Sequence, residues 1–558
     1  MNGVSSILVV GAGPVGMCAA IQAARRGIDV IVVEAKAEDA VADAKCNSVA
    51  SRTLETLRRF GIAEQVRAVG LPDDYPTDVI YTTSITGPEM TRIPMPSRDE
   101  RRQTPFPAGS PDEGWRSAEP YVRVSQRYSN QVLARLMHAT PGITVLYNTE
   151  VLGHEQLADE VKVQIRGADG SQSELRARYV IAADGGRSPV RHQLGIKLSG
   201  DAELGHMRSS LIHAPGLLAL FNGRRPAWMS WVVNHHVKGV VVAIDGKDQW
   251  LVHRALPSGV RDFAALDADQ SIRDVLGVDA DFKYEVLQHE DWIGRRLVAD
   301  RMRDRRVFLA GDAAHLWVPF AGYGMNAGIA DGVSIAWLLS NVLQGWADPA
   351  MLDAYEAERQ PITEQVSRYA MQSMMDTMEA LGRNTPPASL SSRYNPAGLA
   401  IRRVMGGRLH KLNVPQFAPA GLNFGYYYDK SPLISYDGTS PPEYDMGSVT
   451  HSTVPGCRLP HFWIGPGVSV YDKLGPVYTL LRFDRTLDIE PLVAASAAAG
   501  MPLAVLDLPP RDNDAPFTHP LLVVREDQHV VWRGDVVPQD PGALVHLLCG
   551  RRVEGGLK

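Results

Sequence analysis

Two short stretches, far apart in the chain, carry residue types that can hold a phosphorylated cofactor. Near the N-terminus stand Gly11, Ala12, Gly13, Pro14, Val15 and Gly16. Far downstream, residues 306–332 read RVFLAGDAAHLWVPFAGYGMNAGIADG, with Gly311 and Asp312, then Pro319, then Gly322, Tyr323, Gly324, Met325 and Asn326. Glycines in such a spacing let a phosphate approach backbone N–H groups, and the helix that follows offers its N-terminus to negative charge. An acid at the carboxyl end of a strand can hold sugar hydroxyls. The two stretches read together as opposite walls of one cofactor site, which neither would establish alone.

The elements that must position these residues are legible around them. Residues 6–10 (SILVV) form an apolar run suited to a strand covered on both faces. Gly11 permits the tight turn, Gly13 lets phosphate near the backbone, and Gly16 lets a helix pack closely on the strand. That helix, residues 14–26, opens on Pro14 and stops at Gly27. A second strand over residues 30–33 ends in Glu34 and Ala35, an acid about where ribose hydroxyls are gripped, roughly 20 residues past the glycines. Glu34 would repel a 2′-phosphate, which speaks against NADP in this particular site. Before the downstream motif, residues 307–310 read as a buried strand.

Three further segments bear on which cofactor is meant. Residues 44–61 (AKCNSVASRTLETLRRFG) are a loop leading into an amphipathic helix, with Lys45 in the loop. Ser125 and Gln126 open another helix. Residues 179–191 (YVIAADGGRSPVR) are an apolar strand ending in Asp184 and Gly185, with Arg191 closing the stretch. Taken alone, Asp184-Gly185 is an ordinary strand-ending turn; beside the other motifs it reads as part of the cofactor site.

With these motifs in this order, the chain resembles the group A flavoprotein monooxygenases, the single-component FAD-dependent aromatic (phenolic) hydroxylases of the p-hydroxybenzoate hydroxylase fold. The likeness covers roughly residues 5–75, 120–196 and 290–362, and LDAYEAERQP at 352–361 matches the helix after the third motif. It implies that Asp312 and Gln126 hold the ribityl chain, that Lys45 is the basic residue beside the flavin, and that Asp184-Gly185 serves both cofactor and reduced nicotinamide. It also places Pro319 over the flavin face and the N–H groups of Met325 and Asn326 at the N1–C2=O edge, where preorganised donors suit developing negative charge. Phe320-Ala321 departs from the pattern, and a bulky Phe320 should narrow the pocket beside the flavin. The implied reaction is reduction of FAD by NADH or NADPH, addition of O2 at C4a, and transfer of one oxygen from the hydroperoxide to an electron-rich small aromatic substrate. Baeyer–Villiger or epoxidation chemistry on a polyketide- or steroid-like substrate is the alternative, and a flavin-binding interaction protein is a third. No metal is needed.

Length and composition bound the rest. A chain of 558 residues is too long for one core. With 45% hydrophobic and 22% charged residues and a net charge of −6, nothing points to nucleic acid. The N-terminus enters a strand at once, so neither signal peptide nor membrane span is expected. Cys18, Cys46, Cys457 and Cys549 are scattered and form no CxxC, which favours a reducing cytoplasm over disulfides or zinc.

The expected fold class is α/β. A Rossmann-like FAD-binding domain (1–77, 107–197 and 292–383) should carry an inserted antiparallel-sheet substrate domain (78–106 and 198–291). A linker (384–430) then leads to a thioredoxin-like domain (431–558) whose role is packing or contact within a possible homodimer. Short runs such as MSWVVNHH (229–236) and GVVVAID (239–245) carry the sheet expectation. The Pro- and Arg-rich residues 97–111 read as an exposed loop. Pocket candidates by type and neighbourhood are Trp228, Trp231, His213, His235 and Arg208.

Overall fold

The structure is a computed structural model that describes residues 3–40, 46–257, 259–318, 322–381, 386–511 and 516–551. Lys45, Pro319, Phe320 and Ala321 lie outside the described residues.

The apolar run Val4–Val10 pairs in parallel with Val30–Val33 on one side and with Gln172–Ala182 on the other. Ile143–Leu146 and Val307–Leu309 extend the sheet outward, both in parallel. The central strands are buried on both faces, as their unbroken Val/Ile/Leu content demands. Helix Pro14–Ala24 crosses over the sheet and packs on the apolar helix Gly324–Leu343. The Gly11–Gly16, Glu34, Asp184-Gly185 and Gly311-Asp312 motifs therefore gather at the carboxyl ends of parallel strands, where such sheets bind ligands.

A second eight-stranded sheet stands over this edge. Its order is His315–Leu316, Glu285–Ala299, Leu198–His213, Gln249–Ala255, Lys238–Ala243, Met229–Val233, Val79–Thr82 and Glu89–Ile93. The pairing is antiparallel except between Met229–Val233 and Val79–Thr82, which run parallel. No hairpin joins those two segments, so no turn forces the antiparallel direction. Strand Glu285–Ala299 crosses residue 291, where the sequence reading set a domain edge, and carries the sheet into the third motif.

Two expectations for this region are corrected. Residues 97–111 are not simply an exposed loop: Arg98–Gln103 is a helix closed by a reciprocal capping box between Ser97 and Glu100, and buried Arg101 pairs with buried Asp112 at 2.8 Å. The stretch 384–430 is not a plain linker either. It holds helix Pro396–Phe417, capped by the Asn395 side chain, followed by Ala420–Phe424. The long helix lies against strand Glu89–Ile93 so closely that a Cβ on Gly406 would collide with the Met90 carbonyl, whereas one on Gly407 would meet nothing within 4 Å. Gly406→Ala should therefore cost about 1–3 kcal/mol through overpacking, while Gly407→Ala should be neutral or stabilise by up to about 1 kcal/mol. Urea unfolding of both variants checks this, and equal effects would mean the helix does not pack as described.

The C-terminal part forms a four-stranded sheet in the order Leu503–Asp507, Tyr478–Arg482, Leu521–Arg525, Val530–Gly534. The first pair is parallel and the others antiparallel, with helices Glu490–Ala499 and Pro541–Leu548. This is the thioredoxin-like arrangement without its redox cysteines. Burial pushes the Cys457 thiol up to about 11, far from the thiolate that exchange chemistry requires. The domain is fastened to the first by buried ion pairs, Arg525 with Glu358 and Arg458 with Glu55. No described helix is long and apolar enough to cross a membrane.

Candidate functional site

The three glycines of the first turn have different physical reasons. Gly11 has φ of +101°, and a Cβ there would collide with the Ala183 carbonyl of the neighbouring strand. A Cβ on Gly16 would collide with the Gly11 carbonyl. Gly13 is unlike both: a Cβ would meet no protein atom within 4 Å. The space it leaves opens on the cleft, so its glycine serves an approaching ligand and not internal packing. Glu34 is drawn to the same turn, its carboxylate accepting the Ala12 N–H at 2.7 Å and the Lys36 N–H at 2.9 Å. A carboxylate has room for further donors, and Ala35 continues the cleft wall beside it.

Asp312 lies in the 3-10 turn Gly311–Ala313 that follows strand Val307–Leu309, exposed on the cleft. The turn is braced from beneath by Asp331, which is fully buried in helix Gly324–Leu343. One Asp331 oxygen accepts the His315 Nε2 at 2.8 Å and the Gly311 N–H at 3.2 Å, and the other accepts the Arg359 Nε at 2.8 Å. Burial works against the charge, but Arg359 and His315 together hold this carboxyl below the usual range. Sequence reading missed this brace, although an acid inside the apolar run GIADGVSIAW was a signal for it.

Asn326 clasps two cofactor segments. Its Oδ1 accepts the Ala50 N–H at 2.9 Å, and its Nδ2 donates to the carbonyls of Ser48 at 3.2 Å and Gly322 at 2.8 Å. Among the described residues the first donor at this helix end is Ala327, which bonds the Tyr323 carbonyl, and helix geometry leaves the N–H groups of Gly324, Met325 and Asn326 at the helix N-terminus. Gly324, Met325 and Asn326 line one cleft with Pro14, Val15, Gln126, Asp184, Gly185 and Gly322. The Gln126 N–H donates to the Cys46 carbonyl at 2.7 Å. Arg191 ties the second motif to the third, donating to the carbonyls of Gly186 and Ala313 at 3.0 Å each. Gly311 backs the turn, its α-carbon facing Val15 and Gly328.

The cleft fits FAD by its own atoms. Asp184 Oδ1, Asn47 Oδ1, Arg127 Nη1 and Asn130 Oδ1 are buried without a hydrogen-bond partner among the described residues, and each belongs to a residue lining the cleft. Burial also raises the Asp184 carboxyl. Donors and acceptors left open beside a glycine cradle are what a dinucleotide would satisfy.

From this end the cleft, about 1850 Å³ in all, continues beneath the second sheet. Its far wall holds Leu211, Trp228, Trp231, Val242 and Leu251. Trp231 stacks on Tyr81 at 5.8 Å, and His235 also lines the wall. Two candidates fall elsewhere. His213 ends its strand half-exposed, 4.0 Å from Asp248, and is not on the cleft. Arg208 faces Asp291 across the strand pair and is held by it at 2.8 and 2.9 Å. Three cleft residues that sequence reading did not single out are Arg123, Gln416 and Asn423. The last two come from the supposed linker, which gave no signal of them.

The model of the FAD binding domain family matches residues 5–370. The chain is 31% identical to "FAD-dependent monooxygenase apdD" of Emericella nidulans, over 95% of this chain and 88% of the relative. It is 29% identical to "Phenol 2-monooxygenase" of Pseudomonas sp. strain EST1001, over 98% and 92% of the two chains. Among solved structures, the rebeccamycin biosynthetic enzyme RebC with reduced flavin superimposes with a TM-score of 0.87 at 29% identity, covering 98% of this chain and 99% of that one.

Proposed function

The chain belongs to the group A flavoprotein monooxygenases, and from that membership we propose that it hydroxylates a phenolic ring with NADH or NADPH and O2 as co-substrates. The observation that carries this reading is the single cleft, in which the cofactor motifs and an apolar, tryptophan-lined chamber share one volume. A ring in that chamber lies beside the cofactor and away from bulk water, as flavin oxygen transfer requires.

When bound, reduced FAD activates O2 and supplies one oxygen atom to an electron-rich ring, the other leaving as water. The chain's own residues bind and orient. Gly13 and the open end of helix Pro14–Ala24 would receive the pyrophosphate, Glu34 the ribose, and Asp312 the ribityl hydroxyls. The N–H groups of Met325 and Asn326, at a helix N-terminus, would hold the anionic edge of the bound cofactor. Trp228, Leu211 and Leu251 exclude water from the ring. Nicotinamide binds transiently, because no second dinucleotide turn is present in the sequence.

The test is direct. Purified protein should be yellow with stoichiometric FAD, and a panel of phenols should contain compounds that accelerate NAD(P)H oxidation with coupled O2 uptake and product labelled from ¹⁸O2. Protein that remains colourless in excess FAD, or oxidation that no phenol accelerates, would overturn the reading.

A further inference from the structure

Arg123 stands just before the helix that Ser125 and Gln126 open, and only 6% of it is exposed. Its guanidinium is sandwiched, 4.0 Å from the Trp228 ring centre and 4.5 Å from that of Tyr121. The rings cover the faces of the cation and leave its edge, where the N–H donors point, for hydrogen bonds. That edge is poorly used. Nη1 donates to Ser48 Oγ at 2.7 Å and Nη2 reaches the Phe417 carbonyl at 3.5 Å, while Nε has no partner among the described residues.

Charge is left over as well. The neighbouring cation Arg101 already takes Asp112 at 2.8 Å, and no described carboxylate lies within ion-pair distance of Arg123. Burial, with Arg101 adding to it, pushes the Arg123 guanidinium down to about 10, so it remains charged at neutral pH. A buried cation without a counter-charge is costly unless an anion arrives. Two further buried atoms on the cleft have no partner among the described residues, Gln416 Oε1 and Asn423 Oδ1. The Asn423 amide is oriented by its Nδ2 bond to the Pro419 carbonyl at 2.9 Å, so its free atom is an acceptor.

We infer that Arg123 anchors the substrate through an ionised oxygen on a flat aromatic ring, with Gln416 and Asn423 accepting hydroxyl hydrogens of the same molecule. This rests on the reading of the cleft as the hydroxylase site and specifies its substrate class as acidic, hydroxylated aromatics. The position suits the task. Ser48, which holds Arg123, also receives the Asn326 clasp at the open helix end, so the anchor sits next to the flavin's reactive part. An arginine presents a planar fork to a carboxylate or phenolate that a lysine cannot reproduce.

Calorimetric titration of the FAD-loaded protein decides it, with 2-naphthoate against its neutral isostere 2-naphthamide, and 4-nitrophenol above and below its own ionisation near neutral pH against 4-nitroanisole. Wild type should prefer the anion by about tenfold or more, the scale of one hydrogen bond to a charged group. A preference for naphthoate assigns the anchor to carboxylates, one for the nitrophenolate to phenolates, and either supports it. Arg123→Met should erase the preference with neutral ligands changed less than about threefold, and Arg123→Lys should retain part of it. Gln416→Leu should weaken 3-hydroxy-2-naphthoate more than 2-naphthoate. Equal binding of anion and neutral isostere by wild type, which needs no variant to fold, would overturn the anchor, as would an Arg123→Met protein that keeps the preference. Oxygen uptake measured alongside separates the two claims, since a protein that hydroxylates neutral phenols yet shows no anion preference keeps the function and loses the anchor.

Discussion

Asp312→Ala should weaken FAD binding about 10- to 150-fold for each ribityl hydrogen bond lost, because bonds to a charged group are worth roughly 1.5–3 kcal/mol. The fold should hardly notice. Asp312 is exposed on the cleft, and its turn is fixed from the other side by Asp331 through the Gly311 N–H and His315. Apoprotein stability should therefore stay within about 0.5 kcal/mol of wild type, as for ordinary surface substitutions. Asp331→Ala is the contrasting variant. It strands Arg359 and unbinds Gly311, so it should lower apoprotein stability by about 3–5 kcal/mol as well as FAD affinity. Flavin fluorescence titration together with melting of the apoprotein distinguishes the cases. A folded Asp312→Ala protein with unchanged FAD affinity would make Asp312 a turn residue and nothing more.

What the sequence revealed of the cofactor site is what local rules govern. Gly11, Gly13 and Gly16 are separated by spacings that one strand–turn–helix imposes, and Val30–Val33 is a short run closed by an acid. Such features need no knowledge of distant partners. The substrate end is different. Arg208 and His213 carry promising side chains, but pairing register decides their surroundings, and register sets Arg208 opposite Asp291. Arg123 became visible only when Trp228 and Tyr121 closed on it from remote segments. The helix Pro396–Phe417 was hidden because Gly406, Gly407 and Pro415 are residues that local propensity disfavours inside a helix. Gly406 is there for its contact with Met90, a long-range reason that no local rule contains.

The same long-range packing sets how the protein should respond to acid. Two histidines at the docked C-terminal domain are buried, His461 with 5% exposure and His529 with none. Burial pushes His461 down to about 4, opposed by Glu55 and assisted by Arg458, and its Nε2 has no acceptor among the described residues. Burial likewise holds His529 well below its usual value, although Asp527 pulls the other way. In the unfolded chain both return to about 6.5. The unfolded state then takes up protons first as the pH falls, so stability is fully present above about 6.5 and is lost toward the folded values. For His461 this amounts to about 2 kcal/mol between pH 7 and pH 5, and His529 adds to it in the same direction. The depressed carboxyls of Glu55, Asp331 and Asp527 act lower. Their contribution is intact above their unfolded values near 4 and fades only as the pH falls through the folded ones. Between pH 6.5 and 4.5 the histidines therefore dominate. Urea unfolding at pH 7 and pH 5 should show the loss in wild type and a change smaller by about 2 kcal/mol in His461→Gln. A wild-type stability that is flat over this interval, or a variant as steep as wild type, would mean that His461 is charged or solvated in the folded protein and that the domain is not docked over it as described.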